Sequence, residues 1–369
     1  MSPCSRLFWI SLLLILSIHK SFAQSEIPRF QYLSTEDGLS QNSVNDIYQD
    51  DLGYLWFATQ DGLNRYDGYN FIIYRPDKAD PWSISDNFIT RIIPAEDGNL
   101  WVLVRYGLNL FDRSSGRFYK VYSGSTGALS VPSDVFQWNG KWMSIISHRL
   151  YALPDRLSKP SDTLITPVNL PDTVLFAATI NADLTLVTQG KLVRLNQNAE
   201  IVEEMKLPSR ANSYDRFIEE MGESFLFISN KLYQFNSDLF RLTPIVQLDE
   251  VSIIQDICVR KDSSIWIGHS TGLAIFKDDN LHQVETLSNG DGSLSYPFVH
   301  SVFEDADKNM WVGTANGGLN IVPKGAERFM RISKEHGLSH NQVWCAYEDT
   351  EQNLWIGTEM GLNVFNDFK

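Results

Sequence analysis

The sequence predicts an all-β fold, a β-propeller built from four-stranded blades, and two observations lead to that prediction. The phrase Leu-Trp-(Val/Ile/Phe)-x-Thr-x-x-Gly-Leu returns along the chain at steps of 44 or 45 residues between neighbouring clear copies. After the first 23 residues, the apolar positions show strand-like alternation and no helical periodicity. A strand-rich repeat of about this length is typical of propellers, in which each repeat forms one blade.

Eight copies of the phrase align, at steps between 40 and 45 residues. Three weak copies keep the apolar alternation but lose the motif glycine, and they centre on Trp142, Thr185 and Phe225. The five clear copies carry a tryptophan at mid-strand and a glycine in the following turn. A ring at that fixed register fills the gap between blades, so we expect structural roles for Trp56, Trp101, Trp266, Trp311, Trp355, Gly62, Gly107, Gly272, Gly317 and Gly361.

The first repeat can be divided into four strands. The innermost strand contains Val44, Ile47 and Tyr48, and it ends at a turn that includes Gly53. The second strand, Leu55 to Thr59, is apolar almost throughout, as expected for a strand buried on both faces. The turn Gln60-Asp61-Gly62 leads to a third strand, and Asp67-Gly68 leads to a fourth. Small or branched apolar residues stand twelve positions before each motif tryptophan and set the inner register: Val44, Ile89, Ile254, Val299 and Val343.

Residues 1–23 have the pattern of a signal peptide. Arg6 supplies the positive start, an apolar stretch follows, and Ser21-Phe22-Ala23 resembles a cleavage site for signal peptidase. The apolar stretch is too short to span a membrane. We expect cleavage before Gln24, export to the periplasm and no direct membrane contact after cleavage.

Composition excludes several kinds of function. The formal net charge of −14 opposes binding to nucleic acid or to an anionic membrane surface. The histidines are scattered, with no H-E-x-x-H, no Cys/His cluster and no G-x-S-x-G. Cys258 and Cys345 lie two repeats apart, so we expect free thiols rather than a disulfide. The sequence therefore predicts no metal site, no cofactor and no catalysis by this chain.

Two segments carry a resemblance to a known family. The opening reads Phe30-Gln-Tyr-Leu-Ser-Thr-Glu-Asp-Gly-Leu-Ser-Gln-Asn-Ser-Val44, and Asp51-x-Gly-x-Leu-Trp-x-Ala-Thr-x-x-Gly-Leu-Asn-Arg-Tyr-Asp-Gly68 follows. Together they closely resemble the two-component-regulator propeller repeat, found in the periplasmic sensor region of bacterial hybrid two-component histidine kinases. The resemblance extends over the mature chain and is weakest in repeats three to five.

The resemblance implies a particular domain organisation. Ectodomains of that family usually hold two seven-bladed propellers, followed by a Tyr-rich domain, a membrane helix and a kinase. No Tyr-rich domain, membrane helix or kinase motif is present up to Lys369. We therefore expect the N-terminal part of such an ectodomain, with seven repeats in 24–339 and the start of a second propeller in 340–369. The alternative is a closed eight-bladed ring in which the eighth repeat pairs with Arg29 to Leu33.

The turns between second and third strands differ most between repeats, so they are the candidate ligand contacts. In a propeller these turns share one face with the segments that lead to the innermost strands, around the mouth of the channel. An arginine, a tyrosine, amides and carboxylates there can bind a polar ligand. The candidates are Gln60, Asp61, Arg105, Tyr106, His148, His269, Asn316 and Glu359.

Three classes of function remain at this point. The resemblance favours a ligand-sensing propeller that detects an oligosaccharide from a complex glycan, with the rest of the ectodomain as a partner. A secreted enzyme acting on glycans would need two carboxylates about 5 to 9.5 Å apart, for which Asp61 and Glu359 are the only pair the turns offer. A purely structural or dimerisation module, including a homodimer, is the third class.

Overall fold

The computed structural model describes residues 30–121, 132–154, 157, 166–167, 173–212, 215–284, 293–324, 334, 337–349 and 353–365. Residues 1–24, Arg29 and Lys369, which the sequence analysis discusses, lie outside these ranges. The described chain forms seven four-stranded antiparallel sheets and one three-stranded sheet. It also contains two short 3-10 turns, Thr35–Asp37 and Glu96–Gly98, and the described residues include no α-helix. The all-β propeller predicted from the sequence is confirmed.

Blades 1 to 4 each follow the chain from the innermost strand outward. Their strands are β2 to β5 (Val44–Gln49, Leu55–Thr59, Gly62–Tyr66, Phe71–Tyr74), β6 to β9 (Ile89–Pro94, Leu100–Val104, Gly107–Asp112, Arg117–Val121), β10 to β13 (Pro132–Trp138, Lys141–Ile146, Arg149–Ala152, Thr166–Pro167) and β14 to β17 (Phe176–Ile180, Asp183–Val187, Lys191–Leu195, Ile201–Lys206).

Blades 5 and 6 have the same order, whereas blade 7 takes its outer strand from the N-terminal region. The strands are β18 to β21 (Arg216–Glu220, Glu223–Ile228, Lys231–Asn236, Arg241–Gln247), β22 to β25 (Ile254–Val259, Ile265–His269, Gly272–Lys277, Asn280–Val284) and, in blade 7, β26 to β28 (Val299–Glu304, Met310–Thr314, Leu319–Val322) with β1 (Gln31–Leu33).

The N-terminal strand closes a ring of seven blades. β1 pairs antiparallel with β28, with Gln31 opposite Ile321 and Leu33 opposite Leu319. The innermost strand of blade 1 also packs against that of blade 7, and Val44, Phe57 and Trp311 share one buried cluster across this junction. The alternative, in which the N-terminal strand pairs with the eighth repeat, is therefore not what the structure adopts.

The eighth repeat forms a sheet of its own. Its strands are β29 (Val343–Glu348), β30 (Leu354–Thr358) and β31 (Gly361–Phe365). The chain divides into two compact units, Met1–Lys324 and Gly325–Lys369, and this sheet belongs to the second. Its large apolar side chains are mostly exposed, Trp344 and Tyr347 to more than 65%. Cys345 is an exposed free thiol, whereas Cys258 is buried.

The motif tryptophans of the first unit lie between blades. Trp56 is only 1% exposed and packs against Ile89 and Ile92 of the next blade. Trp311 packs in the same way against blade 1. In blade 3 the alignment by sequence was wrong by one position. Met143 faces the fourth blade there, and Trp142 instead contacts Trp101 of the preceding blade, with ring centroids 5.8 Å apart.

The indole N–H of several motif tryptophans has a dedicated acceptor. Trp56 Nε1 donates to Asp50 Oδ2 at 2.8 Å, and Trp311 Nε1 donates to Asp305 Oδ2 at 2.7 Å. Each acceptor stands six residues before its tryptophan, in the turn between the first and second strands. Blade 2 has Ala95 at that position, and the buried Nε1 of Trp101 has no hydrogen-bond partner. The missing acceptor explains this unsatisfied donor.

Ala95→Asp is expected to stabilise the protein. The new carboxylate would accept a hydrogen bond from Trp101 Nε1. It would also cap the 3-10 turn that follows, to which the side chain of Ala95 makes no hydrogen bond. A hydrogen bond that satisfies a buried donor contributes about 1 kcal/mol. Urea denaturation of the variant and of Asp305→Ala measures this, because the second variant removes the equivalent bond and is expected to destabilise. No gain for Ala95→Asp would contradict the assignment of Trp101 Nε1 as an unsatisfied donor.

Removing His340 to Lys369 is expected to leave a folded product, because all seven sheets of the ring are complete without these residues. Removing residues 24–34 is the matched comparison. It takes away β1 and leaves the edge of β28 unpaired, which promotes aggregation. Circular dichroism, thermal melting and size-exclusion chromatography of both truncations distinguish the cases. Loss of folding on removal of 340–369 would contradict closure by seven blades.

Candidate functional site

The turns between second and third strands are fixed to the segments that lead to the innermost strands. The backbone N–H of Gln60 donates to Ser43 O at 3.3 Å, that of Arg105 to Phe88 O at 2.9 Å, and that of Ala315 to Phe298 O at 2.9 Å. The same bond in successive blades keeps these turns and leading segments on one face of the ring. We call this the rim, and define it as the turns at 60–61, 105–106, 147–148, 270–271 and 315–316.

In blades 1, 2 and 7 a buried asparagine holds the leading segment in place, whereas the motif-bearing blade 6 has Ala274 at this position. Asn64 Oδ1 accepts from the backbone N–H of Ser40, and Asn64 Nδ2 donates to Ser40 Oγ at 2.7 Å. Asn109 with Ser85 and Asn320 with Ser295 make the same pair of bonds, and all three asparagines are fully buried. These Ser–Asn pairs give the rim a rigid base, so its side chains start from defined positions.

Two motif glycines are required by this geometry. Gly62 has a φ of 127°, a left-handed conformation that side chains rarely adopt. Gly317 has an ordinary φ, but a Cβ there would lie 2.2 Å from Ser295 Oγ and would break the Ser–Asn pair of blade 7. Gly107 and Gly272 begin third strands, and in the second unit Gly361 also begins a third strand, with a φ of 133°.

Asp61 joins two blades. Its Oδ2 accepts from Arg75 Nη2 at 2.9 Å, and its Oδ1 accepts from Asn87 Nδ2 at 2.9 Å in the segment that leads to blade 2. Both oxygens therefore have protein partners. Its neighbour Gln60 is partly exposed on the rim.

Besides His148, which borders a cavity described below, the exposed rim candidates are Arg105, Tyr106 and Asn316. The Arg105 guanidinium lies over the Phe88 ring, 4.0 Å from the centroid. Tyr106 is 43% exposed, and Asn316 is also exposed. These three residues have side chains that a ligand at the rim can reach.

His269 does not lie on the rim, contrary to the expectation from its position in sequence. It ends strand β23 and is 2% exposed. Nδ1 is 3.0 Å from Thr271 Oγ1, and Nε2 is 3.1 Å from Gln283 Oε1. Burial lowers the pKa of this imidazole, against the opposing influence of Gln283 and of the Asp249 charge. Its contacts describe a structural histidine, because burial leaves neither nitrogen open to solvent.

Glu359 belongs to the second compact unit. Its carboxylate lies 3.6 Å from His340 Nδ1, and its backbone N–H donates to Gln342 O. Within its own sheet it occupies the turn that corresponds to Gln60. Asp61 belongs to the first compact unit and Glu359 to the second.

His148 is the one predicted candidate that borders a cavity near the channel. The cavity measures about 540 Å³, within the range of small-molecule sites. Its walls come from the Ser147–His148 turn and from the first residues of the innermost strands of blades 2 to 5. We call it the channel cavity, and its lining residues include Thr90, Arg91, Ser133, Asp134, Phe176 and Arg216.

Sequence analysis did not identify the charged residues at this level of the channel. Every blade places one residue at the same register position, near the start of its innermost strand. This residue pairs with one of the last residues of the second strand. For example, Asp46 pairs with Ala58 and Asp256 with Gly268. We call the set the channel ring, and from blade 1 to blade 7 it consists of Asp46, Arg91, Asp134, Phe176, Arg216, Asp256 and Ser301.

The carboxylates of the channel ring bridge neighbouring blades. Asp46 Oδ2 accepts from the backbone N–H of Ile92 at 2.8 Å, and Asp256 Oδ2 accepts from Val302 N and Ser301 Oγ at 3.0 Å. Arg91 forms an ion pair with Asp134 at 2.8 Å. Burial raises the pKa of Asp256 to about 6, with Arg216 opposing and Asp46 adding to the shift. The channel thus contains charges that are only partly compensated.

Glu220 is the last residue of β18, the strand whose first residue is Arg216 of the channel ring. Burial raises its pKa to about 7, and the charges of Asp256 and Glu304 add to the effect. Burial also lowers the pKa of His300 to about 4, with a further contribution from Arg216. Glu304 itself pairs with Arg260 and Lys308. Glu220 therefore changes charge near neutral pH.

Glu220→Gln is expected to stabilise the protein at pH 8 and to have little effect at pH 5. The raised pKa means that the folded state binds this proton more tightly than the unfolded state. The contribution of Glu220 to stability is therefore complete below about pH 4.5 and is lost as the pH rises through about 7. The gain at pH 8 should be on the order of 1 to 2 kcal/mol.

Chemical denaturation at both pH values measures the difference. Glu223→Gln, an exposed change in the adjacent strand, is the control and should be neutral at both. An equal effect of Glu220→Gln at pH 5 and pH 8 would contradict the assignment.

Among the residues in the described ranges, no group of three or more His, Cys, Asp or Glu side chains is arranged to hold a metal ion. In the same part of the chain no helix has the length and apolar character needed to cross a membrane.

Comparison with known proteins identifies the class of repeat. Residues 38–61, 293–316 and 337–360 match the family "Two component regulator propeller". These segments cover the Ser–Asn leading segment, the first two strands and the rim turn of repeats one, seven and eight. The chain carries propeller repeats of the two-component-regulator type, and the resemblance seen in its sequence is confirmed.

Relatives place these repeats in longer proteins. Over 56 residues, or 15% of this chain and 4% of the relative, the chain is 54% identical to Histidine kinase P4 of Formosa agariphila. The extracellular domain of a protein described as a hybrid two-component system from B. thetaiotaomicron is 21% identical, with a TM-score of 0.66 over 93% of this chain and 54% of that domain. The chain thus spans about half of that domain and a small fraction of the kinase.

The fold is also shared with an enzyme. Virginiamycin B lyase from Staphylococcus aureus is 12% identical, with a TM-score of 0.59 over 79% of this chain and 98% of the lyase. At such identity the likeness concerns the propeller fold alone.

Proposed function

We propose that this chain is the ligand-sensing part of the extracytoplasmic region of a two-component histidine kinase, exported by a cleaved signal peptide, and that it detects a glycan-derived oligosaccharide. The match of three repeats to the two-component regulator propeller family carries the proposal. The chain itself performs no catalysis in this scheme. The signal passes to the kinase through a membrane helix that follows this region in the full-length protein.

The rim and the channel cavity support binding of a polar ligand. Arg105, Tyr106 and Asn316 offer donors, acceptors and an aromatic face on one side of the ring. The channel cavity adds about 540 Å³ of enclosed volume with polar and aromatic walls. A sugar needs this combination, because its hydroxyls form hydrogen bonds and its C–H faces pack on aromatic rings.

The second unit supports a larger ectodomain. Its single sheet leaves Trp344, Tyr347 and Leu362 exposed, and the related extracellular domain is about twice as long as this chain. We propose that residues 340–369 begin a second propeller and that the rest of the ectodomain is a partner of this chain.

Titration calorimetry with a panel of neutral and acidic oligosaccharides tests the sensing role. We expect at least one to bind with a dissociation constant below 1 mM, and we expect Tyr106→Ala or Arg105→Gln to weaken it. Lys120→Gln, on the outer strand of blade 2, is the control and should bind normally. Hydrolysis or elimination of the saccharide during the titration would support an enzyme instead, and absence of binding by every saccharide would contradict the proposal.

A further inference from the structure

The channel ring has an uneven distribution of charge. Arg91 lies between two carboxylate-bearing blades and forms an ion pair with Asp134 at 2.8 Å. Arg216 has Phe176 at the equivalent position on one side and Asp256 on the other. The Oδ2 of Asp256 is occupied by Ser301 and Val302 of blade 7. Two arginines at the same register therefore have different surroundings.

Arg216 has no direct partner of its own. Among the described residues, its guanidinium takes part in no hydrogen bond, ion pair or ring contact, although it is partly buried and borders the channel cavity. Burial lowers the pKa of Arg216, and the charge of Arg91 lowers it further, against the influence of Asp256, Asp46 and Asp134. A guanidinium in these surroundings is costly to leave without a hydrogen-bonded anion, because partial burial removes water from some of its five donors.

The wall around Arg216 can complete a site for an anion. Thr90 and Ser133 place hydroxyl oxygens on the same cavity, each donating its proton to a backbone carbonyl, and Phe176 and Phe217 supply apolar faces. Two carboxylates also line this cavity: Asp134, which Arg91 neutralises, and Asp215, whose oxygens accept from Asn212 and Ser229. An incoming anion would lie beside blade 4, whose channel-ring position holds Phe176 and not a carboxylate.

We propose that the channel cavity binds an anionic group of the ligand, a carboxylate or a sulfate on an oligosaccharide, by direct pairing with Arg216. The proposal rests on the sensing function proposed above and specifies its ligand. The guanidinium fork binds either group through two hydrogen bonds, and the sugar ring packs along Phe217. Binding strengthens as the pH falls from 7 to 5, because Asp256 then loses its repelling charge.

Binding of three probes to the purified chain tests the proposal: trigalacturonic acid for the carboxylate, galactose 6-sulfate for the sulfate, and neutral galactotriose. We expect at least one acidic probe to bind and inorganic sulfate to compete with it. Arg216→Gln should weaken that probe about tenfold or more, and Arg216→Lys should weaken it less because the charge is kept. Whichever acidic probe binds identifies the source of the anionic group.

Arg241→Gln is the matched control, with the same change of charge on the outer strand of the same blade, and it should bind within twofold of the unaltered chain. Circular dichroism establishes that each variant is folded. If Arg216→Gln does not fold, weaker binding by Arg216→Lys together with competition by inorganic sulfate supports the site, and unaltered binding by Arg216→Lys overturns it.

The outcomes separate this inference from the proposed function. If galactotriose binds and neither acidic probe does, the Arg216 site is wrong and the sensing role stands. If inorganic sulfate stabilises the chain through Arg216 but no saccharide binds, the anion site stands and oligosaccharide sensing is wrong. Equal binding of the acidic probes by Arg216→Gln and by the unaltered chain overturns the inference directly.

Discussion

The pairing of β1 with β28 is the constraint on which the rest of the molecule depends. A propeller blade cannot cover its own faces, so each of the seven sheets relies on two neighbours, and the first relies on the last. Three residues from the N-terminal region supply the missing outer strand of blade 7. This closure places Val44 and Phe57 against Trp311 and removes an exposed strand edge. The channel exists as a defined space only because the ring is closed in this way.

Once the ring is closed, repeated bonds divide the molecule into constant and variable parts. The Ser–Asn pairs recur in blades 1, 2 and 7 and the tryptophan–aspartate bonds in blades 1 and 7, and they fix backbone positions without reaching solvent. The motif residues therefore serve mainly to hold the blades in place. Recognition of a ligand has to come from positions that the motif leaves free, which are the rim turns and the channel-ring position near the start of each innermost strand.

The sequence predicted the fold well because the apolar alternation and the turn chemistry repeat eight times. It also located the rim, since the turn at Gln60 and its equivalents follow a recognisable strand. It could not predict that His269 is buried, because whether the last residue of a strand faces outward depends on local pairing. In blade 3 the short Asn139–Gly140 turn shifts the strand, and Met143 rather than Trp142 occupies the motif position.

The channel ring was missed for a related reason. A signal for it exists, since a charged residue two positions after Val44, Ile89 and Ile254 interrupts an otherwise apolar strand pattern. That signal gives the position of each charge along its own strand, but pairing between blades decides which charges are compensated. Arg91 and Arg216 look alike in sequence, and only the succession of blades shows that one has an aspartate partner and the other faces Phe176.

The channel cavity borders blades 2 to 5, and two of these blades differ from the other five in one feature. In blades 1, 2, 3, 6 and 7 the innermost strand has an irregularity of register near its start, just before the ring position. Blades 4 and 5 lack it. Without the extra residue, the first paired residues of their innermost strands are Phe176 and Arg216, and both line the channel cavity. Two repeats that have lost the motif thus place an aromatic ring and a guanidinium on the cavity wall, and these are the groups that the proposed acidic saccharide would contact.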